Sequence, residues 1–198
     1  PGNYVDKYGA TEQTPCDVGY YQPSSGQTSC SESPSGTYVP NAASDSVIEC
    51  SEGTYQPNPG QGGCLDSDEG YFTPAPRASE QTPCLAGSYQ PETGSIACIQ
   101  SDSGYHVPSE GQATQTICPA GTYQPQTGSS DCLVTNPGQY TSEGAISPSP
   151  CLEGSYQSES GQSGCVLADA GYYSSDISST EQISCLLYTS PSPRDSLS

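Results

Sequence analysis

Apolar and polar positions in this chain keep neither a helical nor a long-strand period; they keep a 17-residue clock. Glycine marks it at Gly2, Gly19, Gly36, Gly53, Gly70, Gly87, Gly104, Gly121, Gly138, Gly154 and Gly171, with one step of 16. Two residues after each glycine stands a ring: Tyr4, Tyr21, Tyr38, Tyr55, Phe72, Tyr89, His106, Tyr123, Tyr140, Tyr156 and Tyr173. A glycine recurring at one place fits a tight turn that needs positive φ or close backbone approach. A second set, Gly26, Gly60, Gly94, Gly128 and Gly161, marks another turn. Between the turns runs G-x-Y-Q-P. Tyr and Thr favour extended backbone there, and Pro23, Pro57, Pro91 and Pro125 confine it to an edge or a strand end, with Ser158 in their place in the fifth copy. No apolar period of 3.6 residues occurs. The pattern predicts a hairpin-like unit every 17 residues, essentially no helix, and a ladder of rings running through all the units.

Cysteine splits these units into two alternating kinds. Odd half-repeats carry Cys three residues before the glycine and eleven after it: CDVGYYQPSSGQTSC, CSEGTYQPNPGQGGC, CLAGSYQPETGSIAC, CPAGTYQPQTGSSDC and CLEGSYQSESGQSGC. Even half-repeats have Ser33, Ser67, Ser101, Thr135 and Ala168 at the first place, and Val47, Gln81, Gln115 and Gln182 at the second. They read as the same unit with the cysteines exchanged for small and polar residues. The domain organisation is then a partial even unit at 1–15, repeats at 16–49, 50–83, 84–117, 118–150 and 151–184, and a non-repeat tail at 185–198. In that tail no glycine follows Cys185 by three residues, and CLLYTSPSPRD resembles the in-frame translation of a transposase sequencing adapter. Residues after Cys185 are therefore expected to be a read-through artefact, which would leave Lys7 and Arg77 as the basic side chains.

Composition sharpens the setting. There is no Met or Trp, and three Lys and Arg face 22 Asp and Glu, a formal charge of -19. Such a chain cannot build one large core, so small units fastened covalently are expected. Regularly spaced cysteines outside any CxxC pattern point to an oxidising compartment, and one histidine gives no zinc set. The acidic balance disfavours nucleic acid and anionic membrane as partners, and no apolar run reaches membrane-spanning length. The chain opens in mid-repeat at Pro1-Gly2 without a signal peptide, as expected of an internal fragment.

Two nearest-neighbour disulfide patterns satisfy the count. One joins Cys16–Cys30, Cys50–Cys64, Cys84–Cys98, Cys118–Cys132 and Cys151–Cys165, leaving Cys185; the other joins Cys30–Cys50 and so on to Cys165–Cys185, leaving Cys16. The inner spacing of 14 never varies, whereas the outer one changes from 20 to 19 once, which favours the first.

The motif C-x-x-G-T-Y-Q-P-x-x-G-x-x-x-C resembles the ephrin-receptor-like cysteine-rich repeats of extracellular proteins. It is also similar to the opening module of tumour necrosis factor receptor cysteine-rich domains, which share C-x-x-G-x-Y…C. In that module the two cysteines bond to each other, so the resemblance implies the within-unit pairing. The resemblance covers the five odd half-repeats closely; the even ones share only G-x-Y. It implies an elongated extracellular architecture, serving as a spacer or binding ligands, and no kinase activity.

Candidate chemistry is sparse. His106 sits at a ladder position and is expected to be a structural ring, since no second histidine or neighbouring base completes a catalytic set. Asp66, Asp68 and Glu69 form the densest acidic cluster, a weak calcium candidate with relatives at Asp102 and Asp169; the alternative is a solvated face that confers solubility. Tyr20, Tyr71, Tyr105 and Tyr172 flank the ladder and suit protein or sugar contacts. No catalytic constellation and no cofactor beyond that calcium option is present, and no enzyme is expected. The reading is a small disulfide-rich, all-β or irregular fold: an elongated rod of tandem 34-residue repeats at the cell surface or outside the cell. Each repeat would touch only its neighbours, and eleven units at about 4.8 Å per strand would give roughly 100 Å. Its expected role is a stalk or spacer that presents another domain. The alternative is a binding or adhesion module engaging protein, glycan or calcium.

Overall fold

The computed structural model describes residues 1–7, 9 and 11–185, so the adapter-like segment after Cys185 lies outside the described residues. The described residues form 22 strands of two residues each and no helix. They fall into two compact bodies, one within Pro1–Thr116 with Gln126–Asp131, the other of Ile117–Pro125 with the described residues from Cys132 to Cys185. The first holds six hairpins, from Asn3–Tyr4 to Ile99–Gln100, and the strand Tyr105–His106; the second holds four, from Thr122–Tyr123 to Ile183–Ser184.

The strands are short because a turn closes each end. At Asp17–Tyr20 the Tyr20 N–H donates to the Asp17 carbonyl at 2.9 Å, and Gly19 takes φ 86°, the geometry of a type II turn with glycine in third place. Where Thr or Ser follows that glycine, its hydroxyl doubles the bond: Thr37 Oγ1 donates to the Pro34 carbonyl at 2.6 Å, beside its own backbone N–H at 3.1 Å. The far turn also requires positive φ, and three even half-repeats meet that requirement without glycine, at Ala43 (58°), Arg77 (60°) and Ser178 (65°).

Each hairpin places its ring opposite a second-strand residue. Tyr38 faces Ile48, Tyr55 faces Leu65, Tyr89 faces Ile99, Tyr123 faces Leu133 and Tyr156 faces Val166. Aromatic–aliphatic pairs of this kind contribute roughly 0.2–1 kcal/mol each. The rings are half-buried up to Tyr156, and Tyr173 is exposed. The enclosed side chains are different ones: Cys16, Cys50, Cys84, Cys118 and Cys151, with Val39 and Val107, are at most 1% exposed. Two-residue strands leave no interior wide enough for a ring, so sulfur, valine, hydroxyl and backbone fill it.

Successive hairpins join by backbone hydrogen bonds that repeat from step to step. Gly19 N–H donates to the Val39 carbonyl at 2.9 Å and Gln22 N–H to that of Ser44 at 3.1 Å; Gly36 N–H reaches Gln56 at 2.8 Å and Val39 N–H reaches Gln61 at 2.9 Å. Contact also extends past the next hairpin. A Cβ at Gly2 would fall on the carbonyl oxygen of Ala43, and one at Gly19 on that of Gly60. These contacts skip one half-repeat of 17 residues yet join neighbouring 34-residue repeats. The hairpins stay separate two-stranded sheets, and within the first body those at Gly2, Gly19, Gly36 and Gly53 reach both the following hairpin and the one after it.

Candidate functional site

The most elaborate local chemistry lies where an even half-repeat hands over to an odd one. Five disulfides stand at these places: Cys16–Cys30, Cys50–Cys64, Cys84–Cys98, Cys118–Cys132 and Cys151–Cys165, with Cα atoms 5.7–5.8 Å apart. In each pair the first cysteine is buried and the second half-buried. Cys185 is a free, exposed thiol.

The glutamine of G-x-Y-Q-P, which the motif did not explain, fastens the loop inside that disulfide. Gln22 is buried; its Nε2 donates to the Ser29 carbonyl at 2.7 Å and its Oε1 accepts from the Ser24 N–H at 3.1 Å. Gln56, Gln90 and Gln157 repeat the arrangement, each with Nε2 on a carbonyl seven residues on and Oε1 on an N–H two residues on.

Where even half-repeats lack cysteine, hydrogen bonds replace it. Ser101 is fully enclosed, and its Oγ accepts from the Ser129 N–H at 3.0 Å and donates to the Ser129 carbonyl at 3.2 Å. Ser33 and Thr135 likewise accept from the Gln61 and Gly161 N–H groups, and Ser67 donates to the Ser95 carbonyl. At the place equivalent to the second cysteine of an odd half-repeat, Gln115 binds Asp102 and Gln182 binds Asp169, each through two contacts at 2.7 Å. The signal was present in the sequence as Asp and Gln held 13 residues apart.

The same clasp engages the acidic cluster. Asp66, Asp68 and Glu69 are all exposed, and Asp68 is tied to Gln81. The carboxylates of these three residues do not converge within 4.8 Å of one another. Of the tyrosines beside the ladder, Tyr71 and Tyr105 are half-buried and Tyr172 is 46% exposed. Tyr20 is half-buried and its hydroxyl donates to Glu32 Oε1 at 3.1 Å. That bond, which only the neutral phenol can donate, raises the Tyr20 pKa above the ordinary value, and the negative charges of Glu32 and Asp17 add to it. His106 is half-buried on its strand.

A shallow notch opens beside three of the disulfides. Tyr4, Asp17 and Cys30 line the first, about 270 Å³; Tyr38, Glu49 and Cys64 line a second, about 540 Å³; Tyr140, Glu153 and Cys165 line a third, about 370 Å³. The even ladder tyrosine and the second cysteine recur in all three. The other rim residues change, from Pro15 and Tyr20 in the first to Leu152 and Leu167 in the third.

Comparison with known families places this geometry. Residues 2–50 match the family described as "Tyrosine-protein kinase ephrin type A/B receptor-like". No curated protein matches the chain. The matched stretch contains the Cys16–Cys30 disulfide with the even half-repeats on either side of it. Together with five disulfides, which persist in oxidising surroundings, it points to an extracellular domain. Among the described residues no helix is long and apolar enough to cross a membrane. Residues 2–50 thus match an ephrin-receptor-like cysteine-rich module, and four further disulfide-closed hairpins follow it toward Cys185.

Proposed function

We propose that this chain is a segment of an extracellular stalk, a spacer that holds another domain away from a cell surface and has no catalytic activity of its own. The observation that carries the reading is the sameness of the step between hairpins. Gly2, Gly36 and Gly70 N–H groups each donate to a glutamine carbonyl 20 residues on, at 2.6, 2.8 and 2.7 Å. Gly19 and Gly87 do the same to Val39 and Val107, both at 2.9 Å. Joints that repeat in this way give a length set by copy number. The buried hydroxyls of Ser33, Ser67, Ser101 and Thr135 hold backbone groups, a structural use.

Small-angle scattering on the chain, and on versions with one 34-residue repeat removed or added, tests the proposal. The expected result is a maximum dimension that rises by an equal increment with each repeat. A compact particle whose maximum dimension does not follow repeat number would overturn it.

A further inference from the structure

We propose that the Arg77–Ala78 peptide bond is a processing site for a trypsin-like serine protease, at which the chain is severed between its second and third disulfides. The inference adds a modification to the stalk reading and does not rest on it. Among the described residues the basic side chains are Lys7 and Arg77, so a protease whose S1 pocket carries a carboxylate finds few places to cut. Pro74, Ala75 and Pro76 are exposed, and the Arg77 side chain is 60% exposed. Loop tips of this kind are where nicking concentrates.

Arg77 stands where other half-repeats have glycine. Seven residues after the clock glycine, Gly26, Gly60, Gly94, Gly111 and Gly128 take positive φ, and Arg77 takes 60° there with a long side chain attached. A protease binds its substrate in extended form, so the turn has to open before the bond is cut. Opening releases Arg77 from a backbone conformation that disfavours every L side chain. It breaks the Arg77 N–H bond to the Cys50 carbonyl at 2.8 Å, the Gln56 N–H bond to the Ala78 carbonyl at 3.0 Å and the 3.6 Å ion pair with Glu49.

This loop has weaker fastenings than an odd one. The loop around Gly60 is closed by Cys50–Cys64 and held by Gln56, whose Nε2 donates to the Gly63 carbonyl at 2.7 Å and whose Oε1 accepts from the Asn58 N–H at 3.1 Å. Around Arg77 the exposed Asp68–Gln81 clasp stands in for the disulfide. Thr73 stands in for the glutamine, and its Oγ1 has no hydrogen-bond partner among the described residues. Cys50–Cys64 ends before the bond and Cys84–Cys98 begins after it, so no disulfide spans Arg77–Ala78. Hydrolysis adds water across this amide and leaves a carboxylate on Arg77 and an amine on Ala78. The two parts are then held by non-covalent contacts alone.

The test is limited digestion of the whole, oxidised chain with trypsin, read by non-reducing denaturing electrophoresis and mass spectrometry. The expected products part after Arg77 without reductant. In the matched variant Arg77→Gln with Gly60→Arg, the arginine again follows a proline, Pro59, but lies in a closed odd loop. Cleavage there is expected to be about tenfold slower, with products that stay joined until reduced. Gly94→Arg in the same background repeats this in the loop of Cys84–Cys98, where a Cβ would meet only the Asp66 side chain. Arg77→Gln with Ala43→Arg moves the arginine to another even loop, at a position already at φ 58°, and cleavage within about threefold of that at Arg77 is expected. Circular dichroism before digestion identifies the variants that fold. Survival of the Arg77–Ala78 bond in the native chain, while the reduced and alkylated chain is cut there, would overturn the proposal. Equal rates at arginines in odd and even loops would overturn it as well.

Discussion

Gln81 closes on Asp68 from both sides: its Oε1 accepts from the Asp68 backbone N–H at 2.6 Å, and its Nε2 donates to Asp68 Oδ2 at 2.6 Å. The pair flanks the places where an odd half-repeat has its disulfide, so a two-point hydrogen bond stands in for a covalent link. Because both contacts are exposed to solvent, their net worth is modest. In a double-mutant cycle of Asp68→Ala and Gln81→Ala, urea denaturation should return a coupling energy of about 1 kcal/mol. A coupling of zero would reduce the clasp to a surface coincidence.

Gly19 and Gly26 both have positive φ, at 86° and 72°, yet they should respond differently to alanine. At Gly26 a Cβ would meet nothing within 4 Å, so Gly26→Ala should cost about 1–2 kcal/mol for the left-handed backbone alone. At Gly19 the same atom would land on the Gly60 carbonyl, adding about 1–3 kcal/mol of overpacking. Thermal melts of the two variants decide it; equal shifts in Tm would show that the contact with the second hairpin along is not tight.

Thr73 occupies the place that Val39 and Val107 hold in other even half-repeats, and its Oγ1 is buried without a hydrogen-bond partner among the described residues. Thr73→Val keeps the shape and removes an orphaned hydroxyl. It should stabilise the chain by about 1–3 kcal/mol, seen as a higher urea midpoint at unchanged m-value. A lower midpoint would mean that the hydroxyl has a partner in solution.

Tyr20 gives the chain a signature at high pH. Its hydrogen bond to Glu32 raises the folded pKa above the ordinary value, whereas the unfolded chain releases that proton near 10. The contribution to stability is therefore fully present below about pH 10 and is lost as pH rises through the folded value. In an absorbance titration at about 295 nm, Tyr20→Phe should remove a late-titrating phenol and Glu32→Gln should move that phenol toward the ordinary range. A late phase that survives both changes would belong to another tyrosine.

The Gly-x-Tyr clock made the turns and hairpins legible, because a glycine at a fixed place needs a backbone reason. The same logic failed at Ala43, Arg77 and Ser178, which take positive φ with side chains attached and so leave no compositional mark. The rings stood out as a ladder, but how far they are enclosed depends on how wide the interior is, and two-residue strands leave it narrow. What fills it instead, Val39, Val107 and the enclosed serines, is too small and too common to stand out in a single chain. The buried glutamines and the Asp–Gln clasps were visible as periodic residues, but their partners were not, since periodicity shows that a residue matters without showing what it holds. The notches join residues of two successive half-repeats, and no linear motif spans them.

The reach of Gly19 past its neighbour to Gly60 has a mechanical meaning. In a chain where each link grips only the adjacent one, tension can peel links away singly. Here a hairpin that leaves strips a contact from the second one behind it as well, so neighbouring losses are tied together. An end hairpin under load is therefore held at two places instead of one, and its release is opposed by the second hairpin behind it as well as by the first.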